Sequence, residues 1–293
     1  MPALKEIKSR LNAVKSTRKI TSAMEMVSSA KLRRAQTSIL GMLPYRDKLE
    51  NILTNFLKTD VTVNSIFVKE RPVTNVTIIV FSSNSSLCGM FNQNINRLFA
   101  KSAGEYEKSI GKKNITVYPI GKKIETFVLK NDYRSAGSFQ HLAETPSYKD
   151  TAAIATDLMN KFQNGETDRV DMIYHHFKSK AVQELVYEPL LPYNLSKFRK
   201  TDDEDDENYS VEYIVEPNIQ MLINELMPLV IRQQLFTALT DSNASEHAAR
   251  TVAMRTATDN ADDLIQELTV EYNKFRPQSI TNELLDIVRG SMK

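Results

Sequence analysis

The 293-residue sequence predicts an α/β chain in three parts. A central domain with a mainly parallel sheet is flanked by two long terminal helices that pair as an antiparallel coiled coil. Three observations predict this. Apolar residues recur at three- and four-residue steps near both ends. β-branched runs alternate with helical spacing in the middle. Turn formers are scarce, with Gly 8 and Pro 10 in the whole chain, so turns are few and helices long. The parts fall at 1–58, 73–193 and 209–293.

The first part carries the stripe Leu4, Ile7, Leu11, Val14, then Leu32, Ala35, Ile39, Met42, then Leu49, Leu53, Phe56. This is the seam of a helix packed on one other helix. Between these blocks Ala23, Ser28, Ser29 and Ala30 are small and admit a close neighbour. The stripe resumes beyond Gly41 and Pro44, which are read as bends rather than ends.

In the second part Val76–Phe81 reads as a strand, followed by the polar loop Ser82–Gly89 and a helix over Phe91, Ile95, Leu98 and Phe99. A strand at 115–118, a helix at 124–129, a helix at 151–162, and strands at 170–177 and 181–190 follow. The alternation predicts a Rossmann-like α/β domain.

The third part starts an apolar stripe at Ile219, Leu222, Leu226 and Val230, continued by Leu264, Leu268, Tyr272 and Phe275. The stretch 242–261 between them is rich in Ala, Ser and Thr, which suits a helix packed on one side and wet on the other. Pro228 and Pro277 are expected to kink this helix. At 1.5 Å per residue, helices of about 55 and 80 residues span roughly 80 and 120 Å, so the second overhangs the first by tens of ångströms.

Composition narrows the function. Hydrophobic residues make up 41% and charged residues 25%, which is ordinary for a globular chain and argues against wholesale disorder. No apolar run is long enough to cross a bilayer, and the start shows no signal core or transit pattern. One cysteine, Cys88, excludes an internal disulfide framework and reads as a small buried residue. Residues 1–50 hold eleven Lys/Arg and four acids, a balance of +7, whereas 202–207 reads Asp-Asp-Glu-Asp-Asp-Glu. The acidic block reads as a solvated loop ahead of the last helix.

No phosphate-loop or dinucleotide glycine motif occurs. The loop 82–89 has a single glycine and no Lys or Arg to hold phosphate, so it reads as structural. His175 and His176 are neighbours on a strand and face opposite sides. His141 and His247 stand alone, and no spacing marks a metal site. The basic first helix lacks interleaved aromatics for base stacking, which disfavours nucleic acid. Pattern alone still leaves open a basic scaffold or nucleic-acid adaptor, and a small α/β enzyme with ligand in that loop.

The opening KEIKSRLNAVKSTRKITSAMEMVSSAKLRRAQ resembles the first helix of gamma subunits of F-type ATP synthases. NASEHAARTVAMRTATDNADDLIQELTVEYNKFRPQSITNELLDIV resembles their last helix, and SLCGMFNQNI their post-strand loop. The similarity covers essentially the whole chain, in order. It implies a non-catalytic central-stalk rotor that couples proton-driven rotation of a membrane ring to ATP synthesis, or reverse hydrolysis, at an alpha/beta hexamer. The implied partners are the alpha and beta subunits, the epsilon subunit and the membrane c-ring, with no cofactor and no nucleic acid. With no presequence expected, the implied place is the cytoplasmic face of a bacterial inner membrane, held peripherally.

The resemblance also implies roles for residues. Met24, Arg250, Arg276 and Thr281 match positions that face the hexamer, and Tyr213 and Glu216 match positions at the foot, near the ring and epsilon. Three features depart from the family pattern. Pro277 stands where the family usually has Gln, Ser-Ser-Asn-Ser-Ser-Leu-Cys-Gly-Met replaces an Asp-Arg-Gly-Leu-Cys-Gly-Gly loop, and the acidic block is not a family feature.

Overall fold

A computed structural model describes residues 2–58, 65–195, 215 and 218–291. The elements are α1 (Pro2–Lys58), β1 (Val76–Phe81), α2 (Phe91–Ile110), β2 (Ile115–Ile120), α3 (Lys122–Lys130), β3 (Arg134–Ser135), α4 (Gln140–Glu144), α5 (Tyr148–Gln163), β4 (Arg169–Phe177), β5 (Gln183–Leu191) and α6 (Ile219–Ser291). Two compact units result, one of residues 1–30 with 250–293 and one of residues 31–249.

In the larger unit the sheet order is β3-β2-β1-β4-β5. β1 pairs parallel with β2 and β4, and β3 pairs parallel with β2. Only β5 is antiparallel, on β4. β1 is buried on both faces along all six residues, as a central strand covered by helices must be. One face packs Ile95, Phe99, Ala103, Ile124 and Val128 of α2 and α3 on Ile78, Val80 and Val117. The other packs α5, the end of α1 (Leu49, Leu53, Phe56) and α6 from Ile223 to Leu239 on Ile79, Phe81 and Ile120. The fully buried Asp171 on β4 is held by Tyr106 and Tyr187, each donating at 2.6 Å, and by Arg169 at 2.9 Å, which compensates the cost of burying a charge.

Along α1 the buried and half-buried positions keep one seven-residue repeat, with Ile7, Thr21, Ser28 and Leu49 in one row and Leu32 and Leu53 in the other. A strict repeat of seven is the pattern of a left-handed supercoil. In the smaller unit Thr21 and Thr258 share a hydroxyl hydrogen bond of 2.8 Å, and Arg18 pairs with Asp262. These contacts make α1 and α6 antiparallel there. The seam of α6 runs through Met254, Thr258, Ala261, Ile265, Leu268 and Tyr272. At that register the start of α1 lies opposite residue 278 or so, and α6 continues for about 20 Å beyond it.

Several expectations change. Leu264 and Phe275 are 47% and 36% exposed. The seam uses Ala261 and Ile265 instead, because a one-residue shift preserves three-four spacing while turning the face by about 100°. Residues 242–251 are nearly all buried, not wet on one side, and one-sided packing begins only at Val252. The helix of the first part runs on through Pro44, as its reading as a bend rather than an end expects, and the last helix is continuous through Pro228 and Pro277. Each proline leaves the carbonyl four residues earlier without its N–H. Those carbonyls belong to Leu40, Asn224 and Asn273, all exposed residues within reach of solvent. The acidic block at 202–207 and Pro217, a residue type that suits the first turn of the last helix, lie outside the described residues.

Candidate functional site: a helix seated at the strand ends

Parallel sheets of this kind place their ligand crevice outside the carboxyl ends of the strands, where strand order reverses. Here the reversal lies at β1, with β2 on one side and β4 on the other. The chain fills that place with its own helix. Leu239, Ser242, Asn243 and Glu246 of α6 line one small cavity with Phe81 at the end of β1, Ser82 just after it, Ile120 at the end of β2, and Ala143 of α4. Residues 238–248 are buried without exception, three turns enclosed on every side.

The loop after β1 is equally self-contained. The first three backbone N–H groups of α3, which attract anions at a free helix start, donate to the loop. Lys122 N–H donates to Asn84 Oδ1 at 2.9 Å, Lys123 N–H to the Ser83 carbonyl at 3.1 Å, and Ile124 N–H to Ser82 Oγ at 3.0 Å. Ser83 in turn donates its N–H to Asn92 Oδ1 at 3.1 Å, and Asn92 donates to the Cys88 sulfur at 3.1 Å. Cys88 is 1% exposed, as its small-residue reading expects. The turn needs glycine at 121, where φ is +111° and a Cβ would sit 2.2 Å from the Ser82 carbonyl oxygen.

His175 and His176 do face opposite sides. His175 is buried, stacked on Phe91 with ring centroids 4.4 Å apart, and its Nδ1 has no hydrogen-bond partner among the described residues. Burial pushes its imidazole down to about 4, because the charged form loses its water. His176 Nδ1 lies 2.6 Å from Asp241 Oδ2 of α6. Burial raises the Asp241 carboxyl above its ordinary value, and the bond from His176 opposes that rise.

The residues assigned by resemblance do not form one site. Met24 is half-buried on α1 and Arg250 is buried on α6. Arg276 and Thr281 are exposed, roughly 40 Å or more further along α6 than Arg250. Thr281 Oγ donates back to the Pro277 carbonyl at 2.9 Å. Tyr213 and Glu216 lie outside the described residues. Two features escaped the sequence reading. One is the enclosed stretch 238–248. The other is the set of exposed apolar side chains at the far end of α6: Ile280, Leu284, Leu285, Ile287 and Val288. A contiguous exposed apolar set of this kind marks a contact surface, and its i, i+4 spacing was readable.

A family model described as ATP synthase matches residues 3–292. An ATP synthase gamma chain of Bacteroides fragilis is 56% identical over 292 residues, covering 100% of both chains. Another from Parabacteroides distasonis is 42% identical, covering 99% of each. Among solved structures, a chain of the Euglena gracilis mitochondrial ATP synthase aligns over 99% of this chain and 94% of its own, with TM-score 0.62 and 19% identity. A chain from the central stalk and c-ring of the Tetrahymena thermophila enzyme gives TM-score 0.56 at 22% identity, over 81% of this chain and 99% of its own. Full-length identity at this level, together with the same fold, settles the matter: the chain belongs to the gamma-chain family of ATP synthases.

Proposed function

We propose that the chain is the central-stalk rotor subunit of an F-type ATP synthase, passing rotation of a membrane ring to a hexamer of alpha and beta subunits. The observation that carries this is the unequal helix pair. α6 outruns α1 and presents the exposed apolar side chains Ile280, Leu284, Leu285 and Ile287, which suit a surface covered by a partner. In this reading the far end of α6 turns inside the hexamer, with Met24, Arg250, Arg276 and Thr281 as contact positions at two heights. Tyr213 and Glu216 serve at the ring and epsilon. No described helix is long and apolar enough to cross a membrane. In this reading, which rests on the family likeness, attachment runs through the assembly, on the cytoplasmic face of a bacterial cell membrane. Coupling arises because an asymmetric shaft makes different contacts with each catalytic conformation, biasing each site in turn.

The purified chain alone is expected to hydrolyse no ATP, since its strand-end crevice holds its own helix. Hydrolysis by that chain that survives exhaustive purification and responds to mutation at Ser82 or Ser83 would overturn the non-catalytic assignment. A chain ending at Val270 removes every exposed apolar residue of the tip. It is expected to assemble yet lower proton-driven ATP synthesis in reconstituted vesicles at least severalfold. Unchanged synthesis would remove the tip from the mechanism.

A further inference from the structure

A helix packed on one face can roll, whereas a helix enclosed and pegged on several faces cannot. Residues 238–248 of α6 meet the second condition. At 100° per residue, Asp241 and Ser245 project within about 40° of each other, Asn243 about 200° from Asp241, and Ala244 between those directions on a third side. The contacts follow those directions. On the first side His176 Nδ1 meets Asp241 Oδ2 at 2.6 Å, and Ser245 Oγ donates to the His175 carbonyl at 3.1 Å. On the opposite side Asn243 Nδ2 donates to the Ala143 carbonyl of α4 at 2.9 Å. On the third, Ala244 and Ala248 close on Leu32 of α1.

We infer that this collar is the joint through which torque passes between the α/β domain and the long helix, with Asp241, Asn243 and Ser245 as its keys. These are positioning residues. Apolar contacts such as Leu32 on Ala244 hold the helix in place but tolerate sliding, since dispersion is non-directional. Hydrogen bonds weaken steeply once their angle changes, so keys on opposite sides resist rotation of the helix about its own axis in either sense. The inference rests on the rotor reading above.

The test uses the full complex carrying Asp241→Ala, Asn243→Ala and Ser245→Ala together, and each substitution singly. With the hexamer immobilised, a bead tied to the α/β domain reports torsional stiffness through the spread of its angular fluctuations. The triple variant is expected to widen that spread at least twofold, each single variant less. In inverted vesicles its ratio of protons pumped to ATP hydrolysed should fall threefold or more. A purely structural role would reduce the amount of assembled complex but leave both quantities, taken per complex, as in wild type. Wild-type values in the assembled triple variant would overturn the inference. If the triple variant fails to assemble, unchanged fluctuations in all three single variants would do so. A wild-type complex in which the bead does not rotate with ATP would instead sink the rotor reading.

Discussion

Gly121→Ala is expected to lower the stability of the full chain by about 3 kcal/mol or more. Two independent causes act together. The φ of +111° is a backbone setting that an L side chain rarely adopts, and the new Cβ would lie 2.2 Å from a backbone oxygen that cannot swing aside. Relieving the clash requires moving Ser82, which breaks the cap on Ile124 and disturbs the end of β1. Gly104→Ala is the matched control. It sits inside α2 with nothing within 4 Å of its Cβ, and the alanine should stabilise by a few tenths to about 1 kcal/mol. Urea unfolding of the two variants beside wild type decides. Equal midpoints for Gly121→Ala and wild type would mean that the turn is not as tight as described.

Lowering the pH from 7 to 5 is expected to cost about 2 kcal/mol through His175 alone. The sign follows from where the proton is held. In the unfolded chain the imidazole titrates near 6.5, and in the fold at about 4, so folding favours the neutral ring. The stability this contributes is whole above 6.5 and drains away as the pH falls towards 4. Asp241 acts in the opposite direction, because its raised carboxyl takes up a proton more readily in the fold as the pH drops. Asp157 and Asp168, lowered on balance by their hydrogen-bond partners against a burial contribution that raises them, lose stabilisation only below the ordinary range near 3.8. Comparing wild type with His175→Leu, a substitution of similar volume, isolates the histidine. The free-energy difference between the two should shift by about 2 kcal/mol towards the variant between pH 7 and pH 5. A difference independent of pH would show that His175 carries its charge without penalty.

What the amino-acid pattern revealed depended on whether burial was local or assembled. The seam of α1 was legible from Leu4 to Phe56 because a coiled coil writes its partner into every turn. β1 and β2 were legible from their apolar runs. β3, two residues long at Arg134–Ser135, offers no periodicity to read. The stretch around Asn243 and Ser245 was misread as half wet. Polar residues there are buried because backbone carbonyls of α4 and β4 come to meet them, and no local pattern encodes those partners. Leu264 was assigned to the seam for a different reason: beside Ala261 and Ile265 the spacing permits either face, and only the Thr21–Thr258 contact selects one. The contact roles proposed for Met24, Arg250, Arg276 and Thr281 rest on family resemblance rather than on any property of the residues in isolation.

The donors at the start of α3 are all engaged by Ser82, Ser83 and Asn84, and the groove beside them is occupied by α6. A drive component beside sites that continually take up and release adenylates thereby has no anion cradle at those strand ends for stray phosphate to occupy.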